Sequence, residues 1–195
     1  MTHTDHALAT RFLDVIEHDI IPLTRAGVER GDKVFGGAIL RKSDLSLVIA
    51  ATNRETENPL FHGEISTLNA FFALAGTERP APEDCLFLST HEPCSLCLSA
   101  ITWAGFDNFH YLFGYVDTRD AFNIPHDLRI LSEVFRIENG NYARENAFWR
   151  CRSIDDLWGG ESDDLTGRIS HLQALYDQLS SVYQESKDES DIPLR

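Results

Sequence analysis

Residues 85–113 read CLFLSTHEPCSLCLSAITWAGFDNFHYLF, and their pattern decides the fold. Cys85 to Ser89 is a short continuous apolar run, as expected of a strand buried on both faces. Pro93 stands where a helix opens, the position at which a missing N–H costs least. The predicted helix runs to about Ala104, and Phe109 to Phe113 is a further buried-strand candidate.

Upstream, Val34 to Leu40 and Leu45 to Ala51 flank a Lys-Ser-Asp turn and predict a β-hairpin. A polar loop follows from Thr52 to Phe61. From His62 the pattern becomes helical, with Ile65, Leu68, Phe72 and Ala75 on one face, and Pro80 and Pro82 close that segment. Strands and helices therefore alternate, which argues for a layered α/β sheet. Near the start, Phe12, Val15, Ile16 and Ile20 predict a helix over 5–20 that Pro22 ends or kinks. Downstream the pattern is weaker: a helix near Asp127 to Phe135, then a fifth strand around Phe148 to Ile154. Ile169, Leu172, Leu175, Tyr176, Leu179, Val182 and Tyr183 form an amphipathic stripe suited to core or dimer packing, and the acidic tail after Glu185 is expected to be disordered.

A chain of 195 residues with 43% hydrophobic composition supports one sizeable core. The reading is one domain over 1–155, with a helix and acidic tail over 156–195 packed on it. No apolar run approaches the roughly 20 residues of a membrane span, and no basic-then-apolar leader opens the chain, so a cytoplasmic protein is expected. The formal charge of −14, dense at Asp155 to Asp164 and Glu185 to Asp191, opposes a phosphate backbone and makes nucleic acid an unlikely partner. Four cysteines, at 85, 94, 97 and 151, suggest metal binding or burial rather than a disulfide framework.

Two motifs carry chemistry: His62-Gly63-Glu64 and Pro93-Cys94-Ser95-Leu96-Cys97. Each falls in the first turn of a predicted helix, where unsatisfied N–H groups and the helix dipole favour a thiolate. Cysteines three apart share a helix face and can share a metal, so His62, Cys94 and Cys97 form a Cys2His set. Such a set leaves the fourth tetrahedral position of zinc open for water, which points to catalysis rather than a closed structural site. Residues two apart on a helix do not share a face, so Glu64 is free to act as acid and base rather than ligand. This pair of motifs resembles the signature of zinc nucleobase deaminases. Cys85 and Cys151 read as ordinary buried or part-buried thiols, and His91 and His110 as surface or satisfied core histidines.

On these residues the chain resembles the cytidine deaminase-like superfamily. Val34-Phe35-Gly36-Gly37-Ala38 looks like the first-strand motif of that family. His62 to Leu68 is similar to fungal cytosine deaminase, whereas Glu92-Pro93-Cys94 with Ala100 to Ala104 is more like bacterial guanine deaminases and tRNA adenosine deaminases. The resemblance covers roughly residues 30 to 122. It implies a three-layer α/β/α sandwich with a five-stranded mixed sheet, one zinc per chain, and a homodimer or larger assembly. It also implies substrate contacts: Asn53 through a hydrogen bond, Phe35 and Trp103 by stacking, the backbone at Gly63, and Asp117 toward exocyclic groups. From residue type alone, Asn53 and Asp117 could as well terminate local elements, and Phe35 and Trp103 could be core aromatics. The loop from Asn53 to His62 is about two residues shorter than the resemblance leads one to expect, and Phe61 replaces a small residue before the metal-binding histidine.

The expected activity is hydrolytic deamination of a free nucleobase or related small amino-heterocycle, of cytosine or guanine type. The alternatives are an RNA-editing tRNA adenosine deaminase and a non-catalytic zinc-stabilised assembly module.

Overall fold

The computed structural model describes residues 3–159 and 163–194. Five strands, β1 (Gly36–Arg41), β2 (Leu47–Thr52), β3 (Cys85–His91), β4 (Asn108–Phe113) and β5 (Arg150–Ser153), form one sheet in the order β2-β1-β3-β4-β5. The β1 strand pairs antiparallel with β2 and β3, while β3, β4 and β5 run parallel, so the sheet is mixed.

The helices are α1 (Asp5–Val15), α2 (Ile21–Glu29), α3 (Gly63–Ala73), α4 (Ser95–Trp103), α5 (Tyr115–Asp120), α6 (His126–Phe135), α7 (Ile154–Trp158) and α8 (Asp163–Ser186). Side chains alternate along each strand and feed two cores. Ala38, Leu40, Leu86, Leu88 and Leu112 join Phe12, Leu13, Leu172 and Tyr176 from α1 and α8. Ile39, Cys85, Phe87, Phe109 and Tyr111 join Leu68, Phe71 and Ile101 from α3 and α4. Both faces of the sheet are thus covered, and β1 to β4 read as largely apolar runs, as in the three-layer α/β/α arrangement expected from the sequence.

Three expectations need correction. Pro22 does not end the first helix: a π-helical segment, Ile16–Ile20, links α1 to α2, and Pro22 lies in the opening turn of α2. The first strand begins at Gly36 rather than Val34. The acidic tail is ordered: Lys187–Glu189 form a 3-10 turn, and Ile192 is buried, only 2% exposed, despite its acidic neighbours. The run from Asp155 to Asp164 is partly outside the described residues, as is Arg195. Within α8, Leu172, Tyr176, Leu179 and Tyr183 are buried as the stripe predicts, while Val182 faces solvent.

Candidate active site and metal centre

The sequence folds so that two helices open at one point beside β1 and β3. His62 is the N-cap of α3 and Cys94 the N-cap of α4, and neither side chain caps its own helix. Gly63 lets α3 approach the sheet: a Cβ there would stand 2.8 Å from the backbone of Phe35 and Gly36. The close approach brings the two motifs together. His62 Nδ1 lies 3.4 Å from Cys94 Sγ and 3.8 Å from Cys97 Sγ, and the three donor atoms fall within 4.8 Å of one another. Tetrahedral zinc with ordinary Zn–S and Zn–N bonds needs a sulfur-to-nitrogen edge of roughly 3.6 Å. The cluster fits one zinc per chain.

Glu64 is buried next to this cluster. Ser89 Oγ donates to its Oε1 at 3.0 Å, and Cys97 Sγ lies 3.2 Å from its Oε2. Burial, reinforced by the Cys94 charge, raises the Glu64 carboxyl above the ordinary range, partly opposed by His62. Without metal, the Cys97 hydrogen bond and then His62 depress the Cys94 thiol against its burial, while burial pushes the Cys97 thiol up. For His62, burial lowers the pKa, but the Cys94 hydrogen bond and charge prevail and raise it to about 9.

A cavity of about 250 Å³ opens on this centre, with His62, Glu64, Cys94, Phe35 and His91 on its inner side. Its outer wall comes from distant segments: Leu60, then Asp127 and Ile130 of α6, then Pro193 and Leu194. Burial raises the Asp127 carboxyl well above the ordinary carboxylate range and lowers the fully buried His91 to about 3.

The remaining sequence candidates scatter. Phe35 lines the cavity and meets His91 edge-on at 4.8 Å. Gly63 serves the close approach described above. Asn53 is fully buried outside the lining, its amide engaged with Glu55. Asp117 accepts a hydrogen bond from Gly114 N at the start of α5, away from this cavity. Trp103 is 91% exposed at the end of α4. Sequence reasoning missed Lys33, Glu55, Ser89 and Asp127. Only Ser89, at the inner end of a recognised strand, carried a usable signal, because β3 points alternate side chains toward α3. Glu92, quoted only as part of a resemblance, is a buried anchor: it accepts from Tyr115 N at 3.1 Å and Tyr142 Oη at 2.8 Å and pairs with Arg144 at 2.8 Å.

The sheet order and the paired helix openings define an α/β protein with a zinc-ready pocket. Residues 21–113 match the cytidine and deoxycytidylate deaminase zinc-binding region. Over that region, a little under half of the chain, the protein is similar to the zinc-binding deaminases of the cytidine deaminase-like superfamily. It is 28% identical over 102 residues to guanine deaminase of Bacillus subtilis (strain 168), a match spanning 52% of this chain and 64% of that relative, less than two thirds of its length. Among solved structures, guanine deaminase from Nitrosomonas europaea superposes with a TM-score of 0.54 at 17% identity, covering 83% of this chain and 81% of that one. A solved mutant protein in complex with 8-azaguanine gives a TM-score of 0.55 at 19% identity, covering 83% and 81%. These two structural likenesses show the shared fold. No helix among the described residues is long and apolar enough to cross a membrane.

Proposed function

We propose that the chain catalyses zinc-dependent hydrolytic deamination of a free nucleobase or related small amino-heterocycle, of cytosine or guanine type. The observation that carries this reading is the buried Glu64 carboxyl beside a Cys2His cluster at the inner end of a cavity. His62, Cys94 and Cys97 are the metal ligands. Bound there, zinc supplies a Lewis acid that makes water nucleophilic near neutral pH. Glu64 takes a proton from the attacking water and passes it to the ring nitrogen beside the amino-bearing carbon. Glu64 then takes the proton of the newly added hydroxyl and hands it to the amino group, which leaves as ammonia, so that a C–NH2 group and water become a C=O group and ammonia. Ser89 holds the carboxyl in position. Phe35 supplies an apolar wall for a flat ring, and Asp127 offers a carboxyl group to the substrate's polar edge.

The relative that deaminates guanine and the solved complex with a guanine analogue support a base-sized ligand. So does the cavity, which lies below the roughly 300–1,000 Å³ of drug-sized sites. We take residues 1–155 as the deaminase domain and 156–195 as a helix and tail packed on it, and the protein as cytoplasmic. A homodimer is supported by Trp103 and Phe148, both exposed. They flank one region, because Trp149 Nε1 donates to Thr102 Oγ1 at 2.7 Å. Trp103→Asp should lower the mass measured by light scattering to that of one chain; an unchanged mass removes this interface.

Ammonia release from cytosine, guanine, adenine and their nucleosides is the decisive assay. Turnover of a free base is the expected result. Turnover confined to adenosine in a folded RNA would instead favour the RNA-editing reading, and no turnover of any of these with zinc bound would favour an assembly module.

A further inference from the structure

The polar group beneath His62 has no role in the steps above. Glu55 is 4% exposed and sits in the loop between β2 and α3. Its Oε1 lies 3.7 Å from His62 Nε2, the ring nitrogen that faces away from the cysteines. Lys33, also 4% exposed, donates from Nζ to the same oxygen at 3.0 Å. Asn53 Nδ2 donates to the other oxygen at 2.6 Å, and Asn53 Oδ1 accepts from Glu55 N at 3.0 Å. The loop itself is tied down, since Thr56 donates from N and Oγ1 to the buried Asp32 at 2.9 and 2.7 Å. A carboxylate held at both oxygens and anchored in its backbone has little freedom to turn away from the imidazole.

We propose that Glu55 is a positioning residue for the metal: it orients His62 by facing Nε2, fixes the proton there, and leaves Nδ1 as the lone-pair donor. Histidine ligands usually present their second nitrogen to a carboxylate or carbonyl, which sets ring tautomer and strengthens the metal bond. Lys33 and Asn53 hold Glu55 in turn. This assigns the Asn53 amide to the metal's support rather than to substrate, and it gives the buried ion pair a purpose that stability alone does not require. A buried pair is often replaceable by apolar residues without loss, whereas removing one member leaves an unpaired buried charge. The inference rests on the reading of His62 as a ligand.

The test measures zinc affinity by competition with a chromophoric chelator in full-length protein, for the parent, His62→Ala, Glu55→Gln and the double variant Lys33→Met/Glu55→Gln. The double variant leaves no buried charge unpaired and keeps the test open if Glu55→Gln alone folds poorly. The apo unfolding midpoint in urea and the visible absorption of the cobalt-substituted protein are recorded in parallel. We expect His62→Ala to lose tight binding. Glu55→Gln and the double variant should bind zinc about 10- to 100-fold more weakly, with an altered cobalt spectrum, while the double variant keeps an apo midpoint near the parent's. Parental zinc affinity and cobalt spectrum in both Glu55 variants, with binding lost in His62→Ala, would overturn the inference alone and leave Glu55 as a neutraliser of Lys33. Undiminished binding in His62→Ala would overturn the ligand assignment and the inference with it.

Discussion

The floor and the roof of the cavity are built on different principles. The floor, His62, Glu64 and Cys94 with Cys97 and Ser89 behind them, comes from two helix openings and one central strand, all fixed by the sheet beneath them. The roof, comprising Asp127, Ile130, Pro193 and Leu194, comes from segments remote in sequence that meet over the pocket. Reactive groups need positions held to fractions of an ångström, and sheet-anchored helix ends supply them. Walls that select and retain a ligand can be made by side chains of looser elements.

This contrast predicts that damage to the floor removes chemistry and damage to the roof weakens binding. The largest effect is expected for Glu64→Gln: kcat falls about 10²- to 10⁴-fold, the usual contribution of a positioned acid/base, while bound zinc measured by elemental analysis stays at the parental level. Loss of zinc together with activity would make Glu64 a structural prop of the metal centre instead. A smaller effect is expected in the roof. Leu194→Asp introduces a charge into an apolar wall near Asp127, and withdrawing one apolar side chain from a ligand is worth about 1.5–3 kcal/mol. KM should therefore rise about tenfold or more with kcat nearly unchanged. If kcat falls instead while KM holds, the roof belongs to the chemistry and the distinction between the two regions fails.

The same contrast explains what could be read from the sequence. His62, Glu64, Cys94 and Cys97 were legible because the ligand spacing is local and helical, and each pair lies within one turn. The strands from β1 to β4 were legible because their runs are largely apolar, even where β2, at the sheet edge, is only half-buried. The roof was not, because contact between Leu194 and α6 depends on the path of the whole chain. Ile192 is buried among Asp and Ser neighbours whose composition predicts disorder, so tertiary packing overrode the local signal. Pro22 misled for a related reason: a π-helical segment took up the irregularity before it. Lys33 and Glu55 lie 22 residues apart in segments with no periodicity, and nothing in their spacing announces a pair.

The smallest predicted effect lies under the floor, in the sheet. His110 on β4 is buried with its ring 4.8 Å from Phe12 and with Arg152 and Asp5 nearby. Burial first, and then the Arg152 charge, lower its pKa from 6.5 to about 4. Below pH 6.5 the unfolded chain therefore binds a proton that the folded chain refuses until about pH 4. Stability contributed by neutral His110 is fully present above pH 6.5, declines as pH falls through the window from 6.5 to about 4, and levels off below it. The slope is at most about 1.4 kcal/mol per pH unit for one such group. Urea unfolding of the parent and of His110→Phe at pH 7, 6 and 5 isolates the term, because Phe keeps an aromatic ring against Phe12 and cannot titrate. The stability difference between the two proteins should shift by about 1 kcal/mol toward the variant between pH 6 and pH 5. A constant difference would mean that His110 accepts its proton in the folded state.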